Sequence, residues 1–239
     1  MDIYKVNTPG ELLAGNTYPG RGIVIGRTPD GTKAAVAYFI MGRSANSRNR
    51  VFAERDGCVF TEPFDASKVQ DPSLIIYAAL RSYENKLIVT NGDQTDTVWA
   101  GLKNGLDFAA ALESRQFEPD PPNFTPRISG MLTFADGGFT YRMSILKSAD
   151  AEGTACSRYT FDYPALNGVG HFIHTYVCDG NPIPTFQGEP ERIAVCDSID
   201  EMTDRLWNAL DADNRISLYV RYIDLATGGA ENRMINKNV

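Results

Sequence analysis

Three arginines fall within eight residues in the stretch Met41-Gly42-Arg43-Ser44-Ala45-Asn46-Ser47-Arg48-Asn49-Arg50. Arginine presents a planar fork of N–H donors that matches two phosphate or carboxylate oxygens at once. Residues 21–55 hold seven basic side chains (Arg21, Arg27, Lys33, Arg43, Arg48, Arg50, Arg55) against two acids (Asp30, Glu54), in a chain of net charge −7. A basic island in an acidic protein points to one compact anion site and away from a face for duplex nucleic acid. A solvated hairpin whose arginines pair with nearby acids would have the same composition.

Other residues with chemical potential lie further along. Gly20-Arg21-Gly22 brings a second basic group to the mouth of the first strand, with glycines that would let backbone N–H groups approach a ligand. Tyr77 sits in an apolar run; beside Arg43 or Arg48 its phenol would become a usable acid or base, and otherwise it is a core tyrosine. Asn91-Gly92, followed by Thr95-Asp96-Thr97, couples a turn to a helix start, where free N–H groups attract anions. Asp96 would repel a phosphate, which favours a capping role for it. Glu118, Asp120 and Arg127 stand in a loop with four prolines in twelve residues, either a preorganised polar site or a salt-bridged surface loop. His171 and His174, the only histidines, are three apart on a strand; they face opposite sides and cannot chelate one metal together. No Gly-x-Ser-x-Gly elbow, phosphate-binding Gly-x-x-x-x-Gly-Lys loop or Cys-x-x-Cys pair occurs.

The elements that must position these groups are mostly strands. Patterning predicts a hairpin of Gly22–Arg27 and Ala34–Met41 across Thr28-Pro29-Asp30-Gly31, whose proline and glycine suit the turn. Further strands are predicted over Val51–Thr61, Lys86–Thr90, Arg158–Asp162, Val169–Val177, Arg192–Cys196 and Ile216–Ile223, with a second hairpin of Ile128–Phe134 and Phe139–Lys147. Helices are predicted over 71–81, where Asp71 caps and Leu74, Tyr77, Ala78 and Arg81 share a stripe, over 98–115, capped by Thr95 or Asp96, and from the Ser198-Ile199-Asp200-Glu201 capping box to Leu210. A short turn of helix around 10–14 precedes them, and a polar tail closes the chain. Strands that follow strands through hairpins favour two antiparallel sheets stacked face to face, an α+β class, with helices outside.

The 239 residues suffice for one large domain. No apolar run reaches ~20 residues and no signal peptide is apparent, so a cytoplasmic protein with free thiols at Cys58, Cys156, Cys178 and Cys196 is expected, with no membrane and no nucleic acid as partner.

Taken in order, Gly20–Arg27, Gly42–Arg50, Asp71-Pro72 leading to Tyr77, Thr90-Asn91-Gly92 with Thr95-Asp96-Thr97, and Phe117-Glu118 with Thr125–Ile128 resemble the archaeal-type IMP cyclohydrolase family. The likeness covers about residues 19–130. It implies a fold similar to the N-terminal nucleophile hydrolases, a four-layer αββα sandwich, and closure of the purine ring of 5-formamidoimidazole-4-carboxamide ribotide to IMP. It implies no metal or organic cofactor, a purine nucleotide as the small-molecule partner, and leaves homo-oligomerisation open. By matching position, Arg21, Arg43, Ser44, Arg48, Tyr77, Asn91 and Glu118 would line the nucleotide site, with Gly92, Thr95 and Arg127 beside them. Tyr77, Arg48 and Glu118 would take the catalytic roles. The chain departs from the family pattern in residues 1–18, in the loop 179–190, and at Gln116, where an acid is expected. Two other readings are an amide hydrolase of the N-terminal nucleophile type, which needs a Ser, Thr or Cys at the head of the first strand, and a non-catalytic purine-nucleotide sensor.

Overall fold

A computed structural model describes residues 2–69 and 76–239. Two antiparallel sheets carry the chain. The first contains β1 (Arg21–Arg27), β2 (Lys33–Met41), β10 (Val169–His174), β11 (Glu191–Ala194), β12 (Arg215–Asp224) and β13 (Ala230–Asn236), in the order β11-β10-β1-β2-β12-β13. The second runs in chain order through β3 (Val51–Arg55), β4 (Cys58–Glu62), β5 (Tyr77–Tyr83), β6 (Lys86–Thr90), β7 (Arg127–Ala135), β8 (Gly138–Ser148) and β9 (Cys156–Pro164). Ile23, Ile25, Tyr38 and Ile40 of the first sheet share one apolar core with Leu87, Val89, Ile128 and Ile145 of the second. Period-2 alternation puts Val24, Ala37, Phe39 and Phe172 on the other face, where they meet α1 (Pro9–Leu13) and α5 (Ile199–Ala209). Ile88, Met131 and Leu146 likewise meet α3 (Gln94–Lys103) and α4 (Phe108–Leu112) on the second sheet. A one-turn helix α2 (Ala45–Arg48) lies in the crossover from β2 to β3. The result is a layered α+β sandwich.

Both predicted hairpins form, and Gly31 takes φ +74° in the first turn while its N–H donates to the Thr28 carbonyl at 2.9 Å. Five expectations need correction. Tyr77–Tyr83 is a strand, not the end of a helix: β4 and β6 flank it and take up its backbone groups. A short apolar run fits both periods, and the sheet decides between them. The proposed start of that helix, Asp71 to Leu74, lies outside the described residues. Val51–Thr61 is two strands, because Asp56 and Gly57 both adopt positive φ and reverse the chain. The helix expected over 98–115 starts at Gln94 and breaks at Gly105, which takes φ +79°; Asp107 then caps α4 by accepting from the Ala110 N–H at 2.8 Å. Neither Thr95 nor Asp96 caps α3: Asp93 precedes it and spends its carboxylate on Arg115 and Arg127, while Asp96 pairs with Arg81. Finally, the polar tail forms β13, whose charged residues suit a sheet edge.

The histidines do face opposite ways. His174 stacks on Phe172 on the helix side, whereas His171 lies between the sheets. There His171 Nδ1 sits 2.6 Å from the Tyr141 hydroxyl and its ring stacks on Tyr163. Burial, and then the charge of Arg192 on the neighbouring strand, push the His171 pKa down to about 4. A histidine held neutral in the fold contributes stability that is complete above its ordinary pKa, near 6.5, and is lost as pH falls toward 4. Urea midpoints measured from pH 7 to pH 4.5 should therefore fall more steeply for the wild type than for His171→Phe, whose ring fills the same space without titrating. Parallel pH profiles would remove His171 as a source of acid sensitivity.

Candidate active site

One end of the sandwich gathers the chemistry. There β1 begins, β2 ends, β7 begins and β10 ends. Arg21 opens β1, and the arginine-rich crossover leaves β2 and caps α2 through the Ser44 hydroxyl. The proline-rich loop before β7 and the segment after β10 complete a cavity of about 250 Å³. Its wall includes Arg21, Arg43, Ser44, Arg50, Glu118 and Tyr176.

The centre of the site is an ion pair. Arg21 Nη2 donates to Glu118 Oε1 at 2.8 Å, with both side chains 8% exposed. Burial opposes the guanidinium charge most strongly, but the Glu118 carboxylate together with the phenols of Tyr176, Tyr77 and Tyr18 outweighs it and holds the Arg21 pKa above its ordinary value. Behind Arg21, the Tyr77 hydroxyl lies 2.8 Å from the Tyr38 hydroxyl in a buried pair. Burial, and then Tyr77, push the Tyr38 pKa well up, so Tyr38 stays a neutral phenol. Tyr176, stacked on Tyr18, meets the Thr125 hydroxyl, and Thr125 in turn holds Asp120. At the rim Arg43 lies over the Tyr18 ring, 4.9 Å from its centroid, and pairs with Asp179.

The crossover that supplies these arginines lies within the span matched by a family model. The family model described as "IMP cyclohydrolase-like protein" matches residues 18–229. The chain belongs to this family. An IMP cyclohydrolase from Methanopyrus kandleri is 33% identical over 153 residues, covering 59% of this chain and 75% of the relative. One from Methanococcus aeolicus is 28% identical over 172 residues, covering 67% and 75%.

Within this IMP cyclohydrolase-like chain, four of the ten sequence-predicted site residues line the cavity: Arg21, Arg43, Ser44 and Glu118. Tyr77 stands behind the wall, in contact with Tyr38. The other five are not among the lining residues. Arg48 is exposed; its Nε donates to the Gly42 carbonyl at 3.0 Å and its Nη2 to Asn214 Oδ1 at 2.9 Å. Asn91, Gly92, Thr95 and Arg127 form a polar knot below α3. Asn91 Oδ1 accepts from the Ile128 N–H and from Gln94 Nε2, its Nδ2 donates to the Pro126 carbonyl, Thr95 meets Thr90, and Arg127 reaches Asp93 and Gln94. A side chain at Gly92 would lie 2.6 Å from Arg127 Nη1. The knot fixes the Pro126–Ile128 backbone, and the Thr125 carbonyl next to it accepts from the Glu118 N–H at 2.8 Å. Its part in the site is to hold the Glu118 loop in place.

The glycines flanking Arg21 serve the core, contrary to the expectation of backbone approach to a ligand. A Cβ on Gly20 would meet Thr175 Oγ1 at 2.1 Å, and one on Gly22 would meet the Phe39 and Phe172 rings. Sequence reasoning placed Arg50 in the basic island without a site role of its own, and gave none to Tyr18, Thr125 or Tyr176. Arg48 ends α2 while Arg50 stands just before β3, and the two point different ways, Arg48 to Asn214 and Arg50 into the cavity. Larger cavities lie elsewhere, and two of them measure about 600 and 420 Å³. Their arginines, Arg142 and Arg221, are already paired with Asp162 and Glu54. Among the described residues, no cluster of three or more His, Cys, Asp or Glu is placed to hold a metal ion, and no helix is long and apolar enough to cross a membrane.

Proposed function

We propose that this chain is an IMP cyclohydrolase that closes the purine ring of 5-formamidoimidazole-4-carboxamide ribotide with loss of water, on a four-layer αββα sandwich. The observation that carries the reading is the buried Arg21–Glu118 pair opening on a cavity ringed by guanidinium groups in an otherwise acidic chain. Family membership and the names of the relatives support it. In the reaction the carboxamide nitrogen bonds to the formyl carbon. The formyl oxygen leaves as water, carrying one proton from the carboxamide nitrogen and one from the formamide nitrogen. An amide nitrogen is a poor nucleophile, so folding the two arms together is much of the task, worth up to ~7–11 kcal/mol in well-oriented systems. Glu118 accepts a hydrogen bond from the carboxamide NH₂. Arg21, held charged by Glu118 and with its Nε lacking a partner among the described residues, stabilises charge growing on the formyl oxygen. Tyr77 relays the departing proton, with its phenol oriented by Tyr38. Arg43 meets the 5′-phosphate at the rim.

Ultraviolet monitoring of the purified protein with the formamido ribotide, without added metal, tests the reading. Conversion to the hypoxanthine chromophore at a rate proportional to protein upholds it; no change above the uncatalysed rate defeats it. The rim contact carries a smaller prediction. Arg43 must exchange Asp179 for phosphate, and both side chains of that pair are more than a third exposed, so it is worth at most about 1 kcal/mol. Asp179→Asn should tighten nucleotide binding by roughly two- to fivefold in calorimetry; weaker binding would mean that Asp179 supports the loop instead of competing with the ligand.

A further inference from the structure

The three arginines of the crossover have three different fates. Arg43 has a carboxylate partner at the rim, and Arg48 is satisfied by Gly42 and Asn214 outside the cavity. Arg50 lines the cavity, is 6% exposed, and forms no ion pair with any described residue. Its Nε and Nη1 are buried with no hydrogen-bond partner among those residues. Arg21, the other buried arginine of the wall, is already neutralised by Glu118. A guanidinium cannot lose its proton at any physiological pH, so it cannot escape burial by becoming neutral. A fixed, desolvated and uncompensated cation is destabilising unless an anion completes it.

The chain around Arg50 is held rigidly. The Asn49 amide exchanges two hydrogen bonds of 2.8 Å with the Asp65 backbone, one residue before Arg50. Asn238 Nδ2, from the far end of the chain, donates to the Arg48 carbonyl at 2.7 Å. Such anchoring fixes the backbone from which the Arg50 side chain projects into the cavity wall. Asn46 Oδ1, in the same cavity wall, is likewise buried and without a hydrogen-bond partner among the described residues. An acceptor and a cation in one cavity wall suit an anion that also carries a hydroxyl donor, as a sugar phosphate does.

We propose that Arg50 is the principal seat of a phosphate monoester dianion, with Arg43 closing over it from the rim. The proposal rests on the nucleotide reading above and assigns a residue which that reading leaves idle. A growing oxyanion carries only part of a charge and exists only during turnover, whereas a dianion compensates Arg50 for as long as the ligand is bound.

The test compares IMP with inosine, which lacks only the phosphate, by calorimetry on wild type, Arg50→Gln and Arg50→Lys. The wild type should prefer IMP by more than 100-fold. Arg50→Gln should lower IMP affinity at least tenfold and leave inosine affinity within twofold, and Arg50→Lys should recover part of the loss. IMP affinity within twofold of wild type in Arg50→Gln overturns the assignment, whether or not turnover falls. If the wild type binds no IMP, the ring-closure reading fails separately, and inorganic phosphate decides the arginine. A phosphate-induced rise in melting temperature that disappears in Arg50→Gln upholds the anion seat, and an equal rise in both proteins overturns it. The free Arg50→Gln protein should melt no lower than the free wild type, so lost affinity is not lost folding.

Discussion

Glu118→Gln should destabilise the protein by about 3–5 kcal/mol and abolish ring closure, the largest combined effect expected of any single change at the site. The substitution keeps the size of the side chain and removes its charge. Arg21 then remains as a cation, 8% exposed, facing a neutral amide at the cavity wall. The cost is that of an orphaned charge, not of one lost hydrogen bond, which alone would be about 1 kcal/mol. Urea denaturation measures it directly. The double variant Arg21→Met/Glu118→Leu separates the two roles of the pair, because removing both charges should restore most of the stability and none of the activity. A single variant within 1 kcal/mol of wild type would mean that solvent reaches the pair, and the argument for a preorganised dry site would fail with it.

Tyr77→Phe should lower kcat by roughly 10²–10⁴ while leaving IMP affinity within about twofold, the pattern expected when a proton-transfer group is removed from a site that still binds. The ring stays in the inter-sheet core, and stability should fall by only about 1 kcal/mol as the bond to Tyr38 is lost. Tyr38→Phe is the informative companion. Tyr38 is buried more deeply than Tyr77 and stays protonated, so its removal should act only through the orientation of Tyr77, with a smaller loss of kcat. Full turnover in Tyr77→Phe would take this residue out of the mechanism and leave the Arg21–Glu118 pair as the only chemistry at the reacting end.

The placement of Arg48 and Arg50 illustrates how a residue two positions along a chain can do a different job. Composition marks both as members of one basic island. Only the break between α2 and β3 turns Arg48 outward to Asn214 and Arg50 inward to the cavity. The same holds for Asn91 and Arg127. Their types suit an anion site, yet Ile128, Pro126, Gln94 and Asp93 use their hydrogen-bonding capacity in a knot that supports the Glu118 loop.

The family resemblance singled out Arg21, Arg43, Ser44 and Glu118, which line one cavity, while local chemistry in the chain was enough for the two hairpins, the Ser198 cap on α5, the irregular proline-rich loop and the antiparallel sheet class. Each of these local features depends on neighbours within a few residues or on side-chain type: turn φ values, period-2 burial, a missing proline N–H. Tertiary structure alone decided that Tyr77 lies on a strand, that the polar tail becomes β13, and that Arg21 meets a carboxylate 97 residues away. Those outcomes depend on partners brought together from distant parts of the chain. A strand is completed by its neighbours, and a buried charge is tolerated only where the fold delivers its counter-charge.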